Sequence, residues 1–144
     1  MDTDRSQLLN ALLKTSIPDE SKSAPSLNEI TKTIIGCAYQ VGNTLGCGFL
    51  EKVYENALCH ELQKKGLNIS QQHELCVYYD NIAVGNYCAD VVVENSVLIE
   101  LKAVRDLNDV MLAQCINYLK ATGYKFCLLI NFGNPRVEVK RIAL

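Results

Sequence analysis

The stretch from Ala89 to Lys102 constrains this chain more than any other. Two short runs of β-branched and aliphatic residues, Val91-Val92-Val93 and Val97-Leu98-Ile99, flank the turn-forming Glu94-Asn95-Ser96. Such a pattern predicts a β-hairpin whose two strands are mostly buried. Turning at Asn95, the hairpin sets Asp90 roughly opposite Glu100, and side chains directly across a strand pair stand about 5 Å apart at Cβ. Glu100 and Lys102 are two apart and share a face, with Ile99 and Leu101 on the other. Two carboxylates and one ammonium therefore converge on strands that are otherwise apolar. Charges in such a place are costly unless something compensates.

A hard divalent cation, Mg²⁺ or Mn²⁺, would compensate. Mg²⁺ takes oxygen ligands, often one or two carboxylates, and keeps several waters. It can polarise a scissile phosphate and lower the pKa of a bound water, while a lysine positions that water and offsets phosphate charge. The spacing D-x9-E-x-K by itself leaves a second reading open, a structural Glu–Lys pair on an exposed sheet edge.

Around this hairpin the hydrophobic period changes twice. Ser26 or Asn28 can cap a helix running to about Thr44, with Ile30, Ile34, Ile35, Ala38 and Val41 on one face. Gly46-Cys47-Gly48 interrupts the chain. A second helix is predicted from Phe49 to Lys65, with Leu50, Val53, Tyr54, Ala57, Leu58 and Leu62 as its apolar positions and Gly66 as its stop. Strands follow at Glu74 to Tyr79, Tyr87 to Val93 and Val97 to Ala103, the first two joined at Asp80-Asn81. Asn108 to Thr122 reads as a helix with Val110, Leu112, Ala113, Ile116 and Leu119 inward. Phe126 to Asn131 and Val137 to Ile142 read as strands. The order helix, helix, three strands, helix, two strands indicates an α/β domain, a mixed sheet of about five strands flanked by helices. Residues 27–144 form that domain. Residues 1–26, ending in Ile17-Pro18-Asp19-Glu20 and Ser23-Ala24-Pro25, have linker chemistry and read as a flexible tail or docking peptide.

With 144 residues the chain is long enough for one domain with a real core. No apolar run approaches the length of a membrane span, so no membrane partner is expected. The N-terminus lacks a basic stretch followed by an apolar one, and an intracellular location follows. The seven cysteines are scattered without a C-x-x-C pair, which argues against zinc and for small buried hydrophobes in a reducing compartment. Net charge is −2, but residues 1–100 carry 7 Lys+Arg against 13 Asp+Glu, and residues 101–144 carry 7 against 3. The basic final third can line a phosphate track or be a solvated face.

Three further features bear on the site. Glu51 lies in the first turn of the second helix, near the positive end of its dipole, where it is either a third acidic ligand or an ordinary first-turn acid. Gln114 and Tyr118 are one turn apart on one helix face, able to hold phosphate or to be plain amphipathic surface. Asn131-Phe132-Gly133 ends a strand in a tight turn and is expected to be structural. Taken in order, Gly48…Glu51…Tyr54, Asp90…Glu100-Leu101-Lys102, Gln114…Tyr118 and Asn131-Phe132-Gly133 resemble the GxxExxY family of the PD-(D/E)XK nuclease superfamily, over residues 28–142. Ala89 stands where the superfamily's name has proline.

The resemblance implies a restriction-endonuclease-like core and a metal-dependent hydrolysis of phosphodiester bonds. It implies Asp90 and Glu100 as metal ligands, with the Leu101 carbonyl as another and Glu51 completing the acidic set. Lys102 would hold the attacking water, and Gln114 with Tyr118 would bind substrate. The implied partner is nucleic acid, DNA ahead of RNA, with specificity drawn from a homodimer or a partner protein. The alternative is a non-catalytic subunit that keeps the nuclease fold for protein or nucleic-acid binding within a larger complex.

Overall fold

The computed structural model describes residues 24–144; most of the expected tail, residues 1–23, lies outside them. Helix α1, Leu27–Leu45, starts at Ser26. The Ser26 hydroxyl accepts the Glu29 N–H and the Glu29 carboxylate accepts the Ser26 N–H, a reciprocal cap. Helix α2 spans Glu51–Lys64. Strands β1, Ile69–Tyr79, β2, Ile82–Val93, and β3, Val97–Lys102, follow, then helix α3, Asp109–Thr122, and strands β4, Phe126–Asn131, and β5, Glu138–Ala143. The five strands form one sheet in the order β1-β2-β3-β4-β5. All neighbours are antiparallel except β3 and β4, and that parallel pair needs the α3 crossover between them.

The sheet separates two cores. On one face α1 and α2 supply Ile30, Ile34, Ala38, Tyr54, Leu58 and Leu62 against Val91, Val93, Val97, Ile99, Leu101 and Ile130. On the other, Cys115 and Leu119 of α3 meet Val92, Leu98, Cys127 and Leu129. β3 alternates as expected: Val97, Ile99 and Leu101 face α1 and α2, which leaves Leu98, Glu100 and Lys102 for the α3 side.

Several expected boundaries and faces shift. β1 begins at Ile69 rather than Glu74, and β2 at Ile82 rather than Tyr87. The added stretches include polar or small residues such as Gln71, Gly85 and Asn86, and take strand form because they pair with the expected part of the other strand, Gln71 with Val91, Gly85 with Val77 and Asn86 with Cys76. On α3 the buried positions are Cys115 and Leu119, while Val110 and Ile116 are exposed. That helix carries apolar residues around much of its circumference, so spacing did not single out the buried face. On α2, Leu50 and Val53 are exposed, and Tyr54, Leu58, Cys59 and Leu62 form the core side. Cys37, Cys59, Cys115 and Cys127 are buried as expected, but Cys47 and Cys88 are exposed.

Two anchors hold the ends of the site-bearing elements. The Tyr54 hydroxyl donates to the Gly46 carbonyl at 2.6 Å and accepts the Phe49 N–H at 3.2 Å, while its ring stacks on Phe132, centroids 4.8 Å apart. Between those contacts Gly48 takes φ 114°, which L side chains rarely adopt. The spacing Gly48, Glu51, Tyr54 thereby fixes the first turn of α2. At the far end of β3, buried Asn131 accepts the Val104 and Gly133 N–H groups, both at 3.0 Å, and donates to the Val104 carbonyl at 2.8 Å. The backbone of Val104 passes so close to Gly133 that a Cβ there would lie 2.0 Å from the Val104 carbonyl oxygen. Asn131-Phe132-Gly133 is structural, and it holds the chain just beyond Lys102.

Asn131→Ala leaves the half-buried Val104 N–H and C=O, and the Gly133 N–H, without these partners. The expected loss is about 2–3 kcal/mol of unfolding free energy, the scale for orphaned buried polar groups. Urea denaturation measures it, and a loss under about 0.5 kcal/mol, as for a surface change, contradicts the assignment.

Candidate active site

β2 and β3 are paired only at Val91–Ile99, Val92–Leu98 and Val93–Val97. Beyond that point β3 runs on to Lys102 beside β4, while β2 extends beside β1. The next rung, Asp90 with Glu100, falls where the ladder between β2 and β3 has ended, and side chains close it instead. Asp90 Oδ2 accepts the Leu101 N–H at 2.8 Å, and Glu100 Oε1 accepts the Asp90 N–H at 3.3 Å. The predicted juxtaposition of Asp90 and Glu100 is therefore present. The turn that produces it has Glu94 and Asn95 at φ 52° and 50°, the positive values that a tight hairpin turn favours.

A second irregularity crosses the same rung. Side chains an even number apart on a strand share a face. Yet Val91 packs in the α1/α2 core and Ala89 in the α3 core, and on β1 Ile69 and Leu75 divide in the same way. Both strands thus turn over near Gln72 and Asp90, which lie unpaired between the Gln71–Val91 and His73–Ala89 rungs. Gln72 takes φ 53°, a left-handed conformation that costs a non-glycine residue about 1–2 kcal/mol. This inversion carries Tyr87 to the α3 side. There its hydroxyl donates to Glu100 Oε1 and its ring stacks on Tyr118, centroids 3.4 Å apart and planes 13° from parallel.

From α2 come Glu51 and, one turn later, Glu55. The Glu55 carboxylate is 3% exposed and accepts hydrogen bonds from Lys52 at 2.6 Å, Gln71 at 2.5 Å and Gln72 at 2.7 Å. Lys102 forms no salt bridge among the described residues, so the structural Glu–Lys pair does not form. Of the residues expected at the site, Asp90, Glu100, Leu101, Lys102 and Tyr118 are brought together, and Glu51 lies within electrostatic reach. Gln114 is an exposed neighbour of Tyr118 on α3. Glu55, Gln72 and Tyr87 escaped the sequence reading. Glu55 was within reach of it, one turn from Glu51, but simple alternation sends Tyr87 to the wrong face.

The carboxyls are poor in compensating charge. Burial first, then the Asp90 charge, pushes Glu100 up to about 7, against the opposing effects of Tyr87, the Asp90 N–H and Lys102. Burial raises Asp90 also, with the Leu101 N–H, Gln72 and Lys102 pulling the other way. Glu51 is raised by burial and then by Asp90, with Lys102 opposing. Lys102 is the ammonium that opposes the shift in all three acids. A divalent cation fits this donor set: Asp90 and Glu100 supply two carboxylates, and both hydrogen bonds to Glu100 fall on Oε1, leaving Oε2 open. Among the described residues no three His, Cys, Asp or Glu side chains form a ready-made ligand cluster, so water would fill the remaining positions. A cavity of about 620 Å³ between α1 and α2, lined by Lys32, Cys37, Lys64 and others, contains none of these acids.

A family model of the PD-(D/E)XK nuclease superfamily matches residues 28–142, and the chain belongs to that superfamily. The crystal structure of an alkaline exonuclease (LHK-Exo) from Laribacter hongkongensis is similar, with a TM-score of 0.45 over 78% of this chain and 81% of that one, at 12% identity. No curated protein matches the sequence. Among the described residues, no helix is long and apolar enough to cross a membrane.

Glu100 keeps its proton in the folded chain to about pH 7, against an ordinary value of 4.5, so across that window the folded state binds the extra proton. The metal-free protein therefore loses stability as pH rises from about 4.5 to about 7, by up to about 3 kcal/mol, and the loss is complete above that window. Denaturation in EDTA across this range measures the slope. Glu100→Gln should flatten it; an unchanged slope in that variant removes Glu100 as its source.

Proposed function

We propose that this protein is a metal-dependent nuclease that hydrolyses phosphodiester bonds in nucleic acid, DNA ahead of RNA. The observation that carries the reading is the open rung between β2 and β3. Two carboxylates are held there by backbone N–H groups, with a lysine beside them that is committed to no salt bridge among the described residues. Asp90 and Glu100 would hold Mg²⁺ or Mn²⁺ with the Leu101 carbonyl, and Glu51 would complete the set through a coordinated water rather than directly. When bound, the ion polarises the scissile phosphate and acidifies a coordinated water. Lys102 orients the attacking water and offsets the charge that develops on the phosphate. Tyr87 fixes the rotamer of Glu100, and Tyr118 with Gln114 lines the approach from α3.

The order Gly48, Glu51, Tyr54 supports placement in the GxxExxY family, because Tyr54 braces the turn that presents Glu51. The site's own surroundings are acidic, and residues 66–101 contain no lysine or arginine. Grip on the phosphate backbone would then come from the basic residues after Lys102, or from a second copy or a partner protein.

Lys102→Ala tests the reading most directly. The role of Lys102 lies in the transition state, so Mn²⁺ affinity should hold while cleavage falls by about 10²-fold or more. Lys102→Arg should not restore it, since a planar guanidinium does not replace a compact ammonium. Calorimetry and single-turnover cleavage of single-stranded, duplex and branched substrates measure the two quantities. Equal cleavage by wild type and Lys102→Ala would sink this role. Nucleic-acid binding without any cleavage by the wild type would favour a non-catalytic subunit.

A further inference from the structure

We propose that Gln72 is a positioning residue of this site: anchored on the buried Glu55, it sets the rung at which β1 and β2 turn over and so places the Asp90 carboxylate against β3. The role rests on the nuclease reading, but its consequences reach beyond cleavage.

The observations converge from three sides. Gln72 is in the middle of a strand with φ 53°, directly across from Asp90 at the point where both strands exchange faces. Strained backbone of this kind persists only where surrounding contacts over-determine it. Those contacts are present: the Gln72 amide donates to Glu55 at 2.7 Å, and its carbonyl oxygen accepts the Cys88 S–H at 3.4 Å. Glu55 in turn is buried and held by Lys52 and Gln71, so the anchor does not yield. Because Glu55 lies one turn beyond Glu51, this clamp ties α2 to the Asp90 rung and sets where the acids from the two elements stand.

Glycine would supply the same bend without steric cost. The bend alone therefore does not account for a glutamine at this position, whereas its amide does. Without the clamp, β1 and β2 are free to resume simple alternation, and a change of one residue in that alternation sends a side chain to the opposite face. Asp90 would then lose the Leu101 N–H. Gln72 is itself exposed, which makes direct contact with substrate the competing role. A positioning role alters metal affinity and the chemical step; a contact role alters substrate affinity.

The full chain carrying Gln72→Gly, Gln72→Asn or Glu55→Gln separates these possibilities. Gln72→Gly keeps the bend and removes the amide. Its melting temperature should stay within about 4 °C of wild type, the shift of roughly 1 kcal/mol in a domain of this size. Its Mn²⁺ affinity and single-turnover rate should each fall about 10- to 100-fold, the usual effect of losing a residue that orients a ligand. Affinity for nucleic acid should remain within about threefold, as expected when no direct contact is lost. Gln72→Asn should recover part of the loss, because asparagine tolerates the left-handed region and keeps an amide. Glu55→Gln should show the same split, and with Gln72→Asn it carries the test if the glycine variant fails to fold.

Mn²⁺ affinity and rate unchanged in Gln72→Gly would overturn the proposal. So would a loss confined to nucleic-acid affinity, which would make Gln72 a substrate contact. If the wild type binds Mn²⁺ but cleaves nothing, the nuclease reading falls while the Mn²⁺ titrations still decide the role of Gln72. A wild type that binds no Mn²⁺ overturns both.

Discussion

A backbone N–H inside a protein must find an acceptor, and the end of the β2–β3 ladder leaves two that the sheet does not satisfy. Leu101 and Asp90 are the residues concerned, and the acceptors are the carboxylates of Asp90 and Glu100. The two acids are thus part of the sheet as well as part of the site. This double use explains how charged groups persist among strands as apolar as Val91–Val93 and Val97–Ile99. It also fixes their separation, since each is tied to the main chain of the other's strand. The candidate site is built around that one open rung.

The rest of the fold brings distant segments to it. The parallel pairing of β3 with β4 requires a crossover, and the crossover helix α3 lays Tyr118 over Tyr87. Tyr87 then holds the Glu100 oxygen that also receives the Asp90 N–H. At the end of β3, Asn131 fastens the chain after Lys102 with three hydrogen bonds. On the opposite layer Tyr54 braces the start of α2, from which Glu51 and Glu55 extend toward the same region. Helices from both layers therefore meet at the carboxyl end of β3, a frequent place for a site in α/β architecture.

Electrostatically the site is a deficit of positive charge. Asp90, Glu100 and Glu51 are all pushed toward the protonated form, chiefly by burial, and Lys102 is the ammonium that opposes the shift in each. Such clusters mark functional places more often than structural ones, because a fold gains nothing from repelling carboxylates. Membership of the PD-(D/E)XK nuclease superfamily agrees with this physical reading.

Much of this was legible in the residues. The hairpin, the approach of Asp90 to Glu100, and the shared face of Glu100 and Lys102 followed from strand period and one turn, because these are local rules. The start of α1 was legible to within two residues, with Ser26 or Asn28 as its cap, and the structure selects Ser26 through its reciprocal bond with Glu29. The buried face of α3 was legible only in Leu119, since an all-round apolar helix is oriented by what it packs on, and Cys115 joins Leu119 in the core while Val110 and Ile116 are exposed. The roles of Tyr87, Gln72 and Glu55 were not legible. By strand period Tyr87 belongs with Val91 and away from Glu100. It reaches Glu100 only because β1 and β2 both reverse their facing at one rung, a strained arrangement stabilised by Glu55 from a helix 17 residues earlier than Gln72. Local sequence determined the hairpin and its charges, because period and turn chemistry act over a few residues. The supporting clamp was decided by tertiary structure alone, because a backbone conformation that costs energy locally exists only where distant contacts offset it.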